Sequence, residues 1–258
     1  MSLLTTEQIY TLDSLGLVVV RNIIPREQID LANRVIETSL KNKKNGKFSV
    51  LEMDPVFFSF MSNPWILSAC EQMLGPNFRF DHAFGLQQPG ENLGANLHGG
   101  PLTCQGANYY VSNQGEIRCG RISIGIMLTR QDKDSGGFVF IPGSHKSVFP
   151  YHGNKVLSEV LPNRFDSECI QCPTLDPGDL VCFVDSLVHG TSDWKKDSKR
   201  RALYYMYSPG FVSWRPHEHV AKYLAMATTD VQRRLLEPPY VSKFSDDDFV
   251  NNWRSQTI

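Results

Sequence analysis

Residues 176–209 read DPGDLVCFVDSLVHGTSDWKKDSKRRALYYMYSP. Two apolar runs rich in β-branched and aromatic residues flank a charged segment, SDWKKDSK. Runs of that composition are strands, and the polar segment between them is a hairpin that returns the second strand beside the first. Working outward, FRFDHAFGLQQ, RISIGIMLTRQ, GGFVFIPGSH and ECIQCPTL repeat the pattern between Gly and Pro turns from residue 77 onward. Many short strands at regular spacing predict a sandwich or barrel.

Residues 1–75 read as mostly helical support. Thr5 or Thr6 caps a helix that ends at Gly16, a short strand Leu17 to Val20 follows, and Pro25 and Pro64 each open a further helix. Residues 77–213 are the β core, and residues 214–258 read as a helical cover. The expected architecture is one domain, 1–258: mainly β with flanking helices, a double-stranded β-helix of the jelly-roll or cupin-like type.

The 258 residues carry 26 basic and 27 acidic side chains, a net charge of −1. That balance gives no electrostatic case for nucleic acid or an anionic membrane. No apolar stretch approaches the length of a membrane span. The opening MSLLTTEQIYTLDSLG lacks the layout of a signal peptide. The six cysteines are expected as free thiols in a reducing compartment, which points to the cytoplasm. The single CxxC, Cys169 and Cys172, has no partner pair and reads as structural.

Seven histidines are available, and two sit where a metal can be held. His98 ends an irregular loop in NLHGGP, and His189 closes a strand beside a glycine. Two imidazoles from different strands of a β-barrel suit a non-haem Fe(II) site with open positions. Eleven residues after His189 comes Arg200, whose guanidinium matches the two oxygens of a carboxylate and can anchor a dicarboxylate. Thr191 can add a hydroxyl donor. Gln87 and Gln88 lie on the strand before the metal loop, where a primary amide, Gln87 in the first instance, can reach the same ligand. Strand alternation turns Arg200 inward and Arg201 to the other face.

These segments resemble the phytanoyl-CoA dioxygenase family of Fe(II)/2-oxoglutarate oxygenases. LTTEQIYTLDSLGLVVVRNIIPREQID resembles its opening helix–strand–helix, SGGFVFIPGSHKS its PG[ST]H signature, and DPGDLVCFVDSLVHGTS…KRRALYYMYSP its closing segment. The resemblance implies that His98 and His189 ligate iron, that Arg200 and Thr191 bind 2-oxoglutarate, and that dioxygen is consumed. It also implies a small-molecule substrate oxidised at an aliphatic C–H.

One position departs from the family pattern His-x-Asp. Here the chain reads His98-Gly99-Gly100, and glycine cannot ligate. Loss of the carboxylate removes a negative charge and opens a coordination position. The resemblance extends to iron-dependent halogenases of the wider superfamily, in which Gly or Ala at this place lets chloride bind iron and chlorination replace hydroxylation. Gly100 thus joins the two histidines as a residue that decides the chemistry. Three readings stay open: a chlorinating enzyme, a hydroxylase whose third ligand is water or a more distant carboxylate such as Glu91, and a cupin-like module that binds without turnover. His145 is expected to fix a turn or line a pocket rim. Trp214, Arg215, His217 and His219 are expected on a covering segment, and Tyr109 and Tyr110 are candidates for a substrate channel.

Overall fold

A computed structural model describes residues 4–40, 46–88, 95–100, 108–113, 115–148, 165 and 167–240. The chain opens as expected. Thr5 and Gln8 form a reciprocal capping box at the start of α1 (Thr6–Leu15), and Gly16 closes it with a left-handed φ of 81°. β1 (Leu17–Val20) follows, then α2 (Arg26–Ser39), whose Ile29, Ala32 and Ile36 are buried. β2 (Gly46–Phe48) precedes α3 (Val56–Met61) and α4 (Pro64–Leu74). α3 carries five apolar residues in six positions, too short and too uniformly apolar to show helical periodicity in sequence.

The β core comprises β3 (Phe78–Gln88), β4 (Ala95–His98), β5 (Tyr110–Asn113), β6 (Glu116–Cys119), β7 (Ile122–Met127), β8 (Phe138–Phe140), β9 (Leu180–Val184), β10 (His189–Thr191) and β11 (Arg200–Pro209). Six strands form a major sheet in the order β1-β9-β7-β11-β3-β2, and three form a minor sheet in the order β4-β10-β8. The two sheets make the expected jelly roll. Two of the six major-sheet strands come from the N-terminal segment, so residues 1–75 complete the sheet as well as support it.

Helices cover the outer face of the major sheet. Tyr205 and Tyr207 of β11 donate from their hydroxyls to Phe57 O (3.0 Å) and Met61 O (2.6 Å) on α3. The alternate residues of β11 face the other way, toward the minor sheet. Residue parity on β11 therefore decides which side chains support the fold and which meet the interior.

Two expected elements differ. ECIQCPTL makes only isolated bridges, Phe140 with Gln171 and Gln131 with Leu175. Pro173 lies between them and has no N–H to continue a ladder. The tail breaks into α5 (Glu218–Ala221), a 3₁₀ turn (Leu224–Met226) and α6 (Asp230–Leu235). Thr229 is extended and its hydroxyl accepts from Gln232 N, which starts a new helix rather than continuing the old one. No helix among the described residues is long and apolar enough to cross a membrane. Cys70, Cys119, Cys169, Cys172 and Cys182 are free thiols; Cys104 and Glu91 lie outside the described residues.

The PGSH segment is a brace. Ser144 Oγ accepts from Val188 N at 2.8 Å, just before His189, and His145 Nε2 meets Asp13 O at 3.1 Å at the end of α1. His145 is buried, and burial pushes its pKa down to about 4 from the ordinary 6.5. Below pH 6.5 the unfolded chain takes up a proton that the folded chain refuses, so stability is lost as pH falls from about 6.5 toward 4. In urea unfolding, the wild type should lose about 2 kcal/mol more than His145→Gln between about pH 7.5 and pH 5. Equal losses in the two proteins would show that His145 does not set the acid response.

Candidate active site

His98 and His189 are directly opposite each other in the β4–β10 pairing, and their ring centroids are 4.4 Å apart. His189 Nδ1 lies 2.8 Å from Leu187 O. A carbonyl only accepts, so Nδ1 carries the proton and the Nε2 lone pair is left for a metal. Burial, with His98 beside it, pushes the His189 pKa down to about 4. The imidazole is therefore neutral at neutral pH, the form a metal requires. Phe183 packs on the same ring with centroids 4.6 Å apart, giving the histidine an apolar wall.

The chain after His98 runs tightly against the β9–β10 turn. A Cβ at Gly99 would fall 2.3 Å from Leu187 O, so this position has room for glycine alone. Gly100 donates its N–H to Ser186 O at 2.8 Å. Its φ of 98° favours glycine, yet a Cβ there would meet only Val188 Cγ2, at 3.4 Å. The backbone conformation favours glycine here, while the space around it does not demand one. Among the described residues no group of three His, Cys, Asp or Glu is placed to hold a metal.

Across the interior, on the major sheet, Arg200 is only 1% exposed. Its Nε donates to Gln131 Oε1 (3.3 Å), one terminal nitrogen to Gln88 Oε1 (2.9 Å) and the other to the Tyr204 hydroxyl (3.3 Å). All three acceptors are neutral. A guanidinium has five donors, so two are left over, the number a carboxylate takes. Among the described residues no carboxylate pairs with it. Gln131 is itself locked: its amide donates to Phe138 O and Pro173 O, and its Oε1 accepts from Phe138 N. Thr191, on the strand of His189, lines the cavity together with Tyr204.

Arg201 turns to the other face, as its position predicts. It bonds to Glu37 on α2 and to Gln87 Oε1 at 2.7 Å. Gln87 opposes Arg201 in register and Gln88 opposes Arg200. Of the two amides, Gln88 is therefore the one on the side of Arg200, and Gln87 is occupied on the helix-covered side. This corrects the first choice made from sequence. The reason is the pleat: adjacent residues cannot share a face.

The space between the sheets is a cavity of about 1170 Å³. His98, His189 and Thr191 line it, as do Trp214, Arg215 and His219 of the covering segment; His217 does not. Tyr110 is absent from the lining and donates instead to Asp13 on α1. Sequence reading passed over His82, Arg121 and Asp185, which also line the cavity. Stepping by two from Gln88 along β3 would have reached His82.

Residues 93–202, less than half of the chain, match the family model described as phytanoyl-CoA dioxygenase. The dioxygenase CdmD of Talaromyces verruculosus is 23% identical over 215 residues, covering 76% of this chain and 62% of that protein. The chain thus spans under two thirds of that relative. HygX from Streptomyces hygroscopicus, solved with nickel and 2-oxoglutarate bound, superposes with a TM-score of 0.72 at 19% identity over 82% of this chain and 90% of that one. EctD from S. alaskensis, solved with 2-oxoglutarate and 5-hydroxyectoine, gives 0.64 at 16% identity over 81% and 77%.

The glycine pair of SGGF has a definite task. A Cβ on Gly137 would fall 2.3 Å from Gln131 Oε1 and 2.8 Å from Arg200 Nε, at a φ of 109°. Gly137→Ala should therefore cost more than about 2 kcal/mol in unfolding free energy, from overlap plus backbone strain. Gly46→Ala, at a φ of 128° with no neighbour within 4 Å, should cost only about 1 kcal/mol. Equal costs would mean that the Gln131–Arg200 contact does not constrain Gly137. The jelly-roll fold of these solved structures is the fold of this chain.

Proposed function

We propose that the protein is an Fe(II)/2-oxoglutarate-dependent oxidoreductase of the phytanoyl-CoA dioxygenase family, acting on an aliphatic C–H of a small molecule. The observation that carries this reading is the pairing of His98 with His189 across two strands, together with a buried arginine, itself not part of the cavity lining, that has no carboxylate partner among the described residues. The family match and the likeness to HygX support it.

Each residue has a role that follows from its setting. His98 and His189 would hold the metal, the second through Nε2 because Leu187 O keeps Nδ1 protonated. Arg200 would bind the distal carboxylate of 2-oxoglutarate through its two remaining donors, with Thr191 as a further donor. Gln131, Gln88 and the Tyr204 hydroxyl hold the guanidinium in one orientation. Phe138 and Phe183 keep water from the ring of His189. Bound Fe(II), with dioxygen and 2-oxoglutarate, supplies the oxidising power to remove a hydrogen from the substrate while 2-oxoglutarate loses CO₂ and becomes succinate.

Chlorination is the finer reading, with chloride at the position that a His-x-Asp carboxylate fills. Gly100 supports it, since neither Gly99 nor Gly100 offers a donor atom. The hydroxylase reading draws support from the φ of Gly100, which gives glycine a backbone reason independent of any halide.

Nickel(II) in place of iron should raise the melting temperature, and His98→Ala or His189→Ala should abolish the rise. Arg200→Gln should weaken 2-oxoglutarate binding by about 100-fold, the worth of a pair of charge-assisted hydrogen bonds. Succinate formation under air that persists in both histidine variants would end this reading. For the finer question, product mass spectra in chloride and in bromide separate halogenation from hydroxylation. Gly100→Asp should remove any halogenated product, at a backbone cost of about 1 kcal/mol. A hydroxylated product insensitive to halide would dismiss chlorination.

A further inference from the structure

The cavity wall carries charges of its own. Among its described lining residues, Lys47, Arg121, Arg215 and Lys222 face one carboxylate, Asp185. Arg121 Nε pairs with Asp185, which also accepts from Ser123 Oγ. Lys222 pairs with Glu52. Among the described residues Lys47 and Arg215 pair with no carboxylate. The surplus is positive.

Arg121 is the most constrained of the four. Its side chain is 10% exposed, and its guanidinium carbon lies 4.1 Å from the centroid of the Trp214 ring. One terminal nitrogen, NH1, is buried and has no acceptor among the described residues. A buried, unsatisfied donor on a cation is costly, which marks it as a group awaiting an acceptor. Its neighbours are fixed. Asp81, 1% exposed, accepts from His82 Nδ1 at 2.6 Å and from Trp214 N at 2.7 Å. That one carboxylate holds His82 in the cavity wall and pins the start of the segment that carries Arg215. The major sheet also presents an apolar surface to the cavity, Phe84 stacked on Tyr204 with centroids 5.3 Å apart and Lys47 over the Phe84 ring at 4.5 Å.

We propose that the substrate is an oxyanion, a carboxylate or a phosphate ester, whose charged end is bound at the Arg121 guanidinium and whose apolar body lies along Phe84 and Tyr204. This rests on the reading of the cavity as a substrate chamber and names the substrate class. The exposed lining residues Lys47, over the Phe84 ring, and Arg215 raise the local concentration of anions and discriminate against amines.

The test uses the full chain, free of metal and 2-oxoglutarate, so that it stands apart from the iron chemistry. Four probes share one apolar body: phenylbutanoate, phenylbutyl phosphate, phenylbutanol and phenylbutylamine. Calorimetric titration should give binding of at least one anion ten-fold or more tighter than that of the alcohol or the amine, and the two anions separate carboxylate from phosphate. Lys47→Glu combined with Arg215→Glu should weaken the anion by ten-fold or more with an unchanged melting temperature, since both residues are exposed. Arg121→Gln should weaken it further, while Arg200→Gln should leave it unaltered. Equal binding of amine and anion, no binding of either anion, indifference to the double reversal, or loss on Arg200→Gln alone would each overturn the proposal. Nickel binding in parallel reports on the histidine pair separately, so a chain that binds the anion but no metal sinks the oxygenase reading and leaves the anion site standing.

Discussion

A guanidinium in the interior needs acceptors, and Arg200 imposes that demand on everything near it. Its charge is held by dipoles alone: two amides and a phenol. Neutral acceptors can stabilise a buried cation but cannot discharge it, so the site keeps an unbalanced positive charge. Gln88 makes the shortest of these contacts, and Gln131 is the most fixed of the acceptors because its own amide is tied to the β8 backbone and to Pro173. Gly137 is the price in side chain, and the bridge between Gln131 and Leu175 keeps the loop in place. The histidine pair on the opposite sheet is fixed by other means, the strand register and one carbonyl. Both groups lean on β8, which pairs with the strand of His189 and anchors the amide of Gln131.

Much of this was legible in the chain because the relevant signals are local. Strand runs, the capping box before α1 and the glycine after it are set by neighbouring residues, and they stand where the spacing puts them. The opposition of Arg200 and Arg201 needs only the two-residue period of a strand. The choice between Gln87 and Gln88 needed more, because it depends on the register of β3 against β11, a relation over more than a hundred residues. His82 was missed for the same cause. ECIQCPTL misled through composition, since its β-like residues flank a proline that stops the ladder. The tail reads as helical, and its described part is helical in short pieces because Thr229 starts a new helix.

The PGSH segment shows how a short signature can be structural and still bear on the site. Its serine holds the residue before His189, its histidine holds the end of α1, and its glycine makes the turn that allows both. None of the three touches the cavity. Their common effect is to fix where β10 begins, and hence where the second imidazole sits.

The pairing of β1 with β9 carries a consequence for how the chain reaches this state. Leu17 lies against Phe183, so a strand near the start of the chain waits for one formed long after it. The two imidazoles meet across 91 residues of sequence through the β4–β10 pairing. Closing loops of that size gives no return in contact energy until the partners arrive, which makes late assembly slow. On a ribosome, β1 and α1 emerge first and remain without their partner strand until residue 184 has followed. The two imidazoles likewise come together only after residue 189 has been made, late in synthesis.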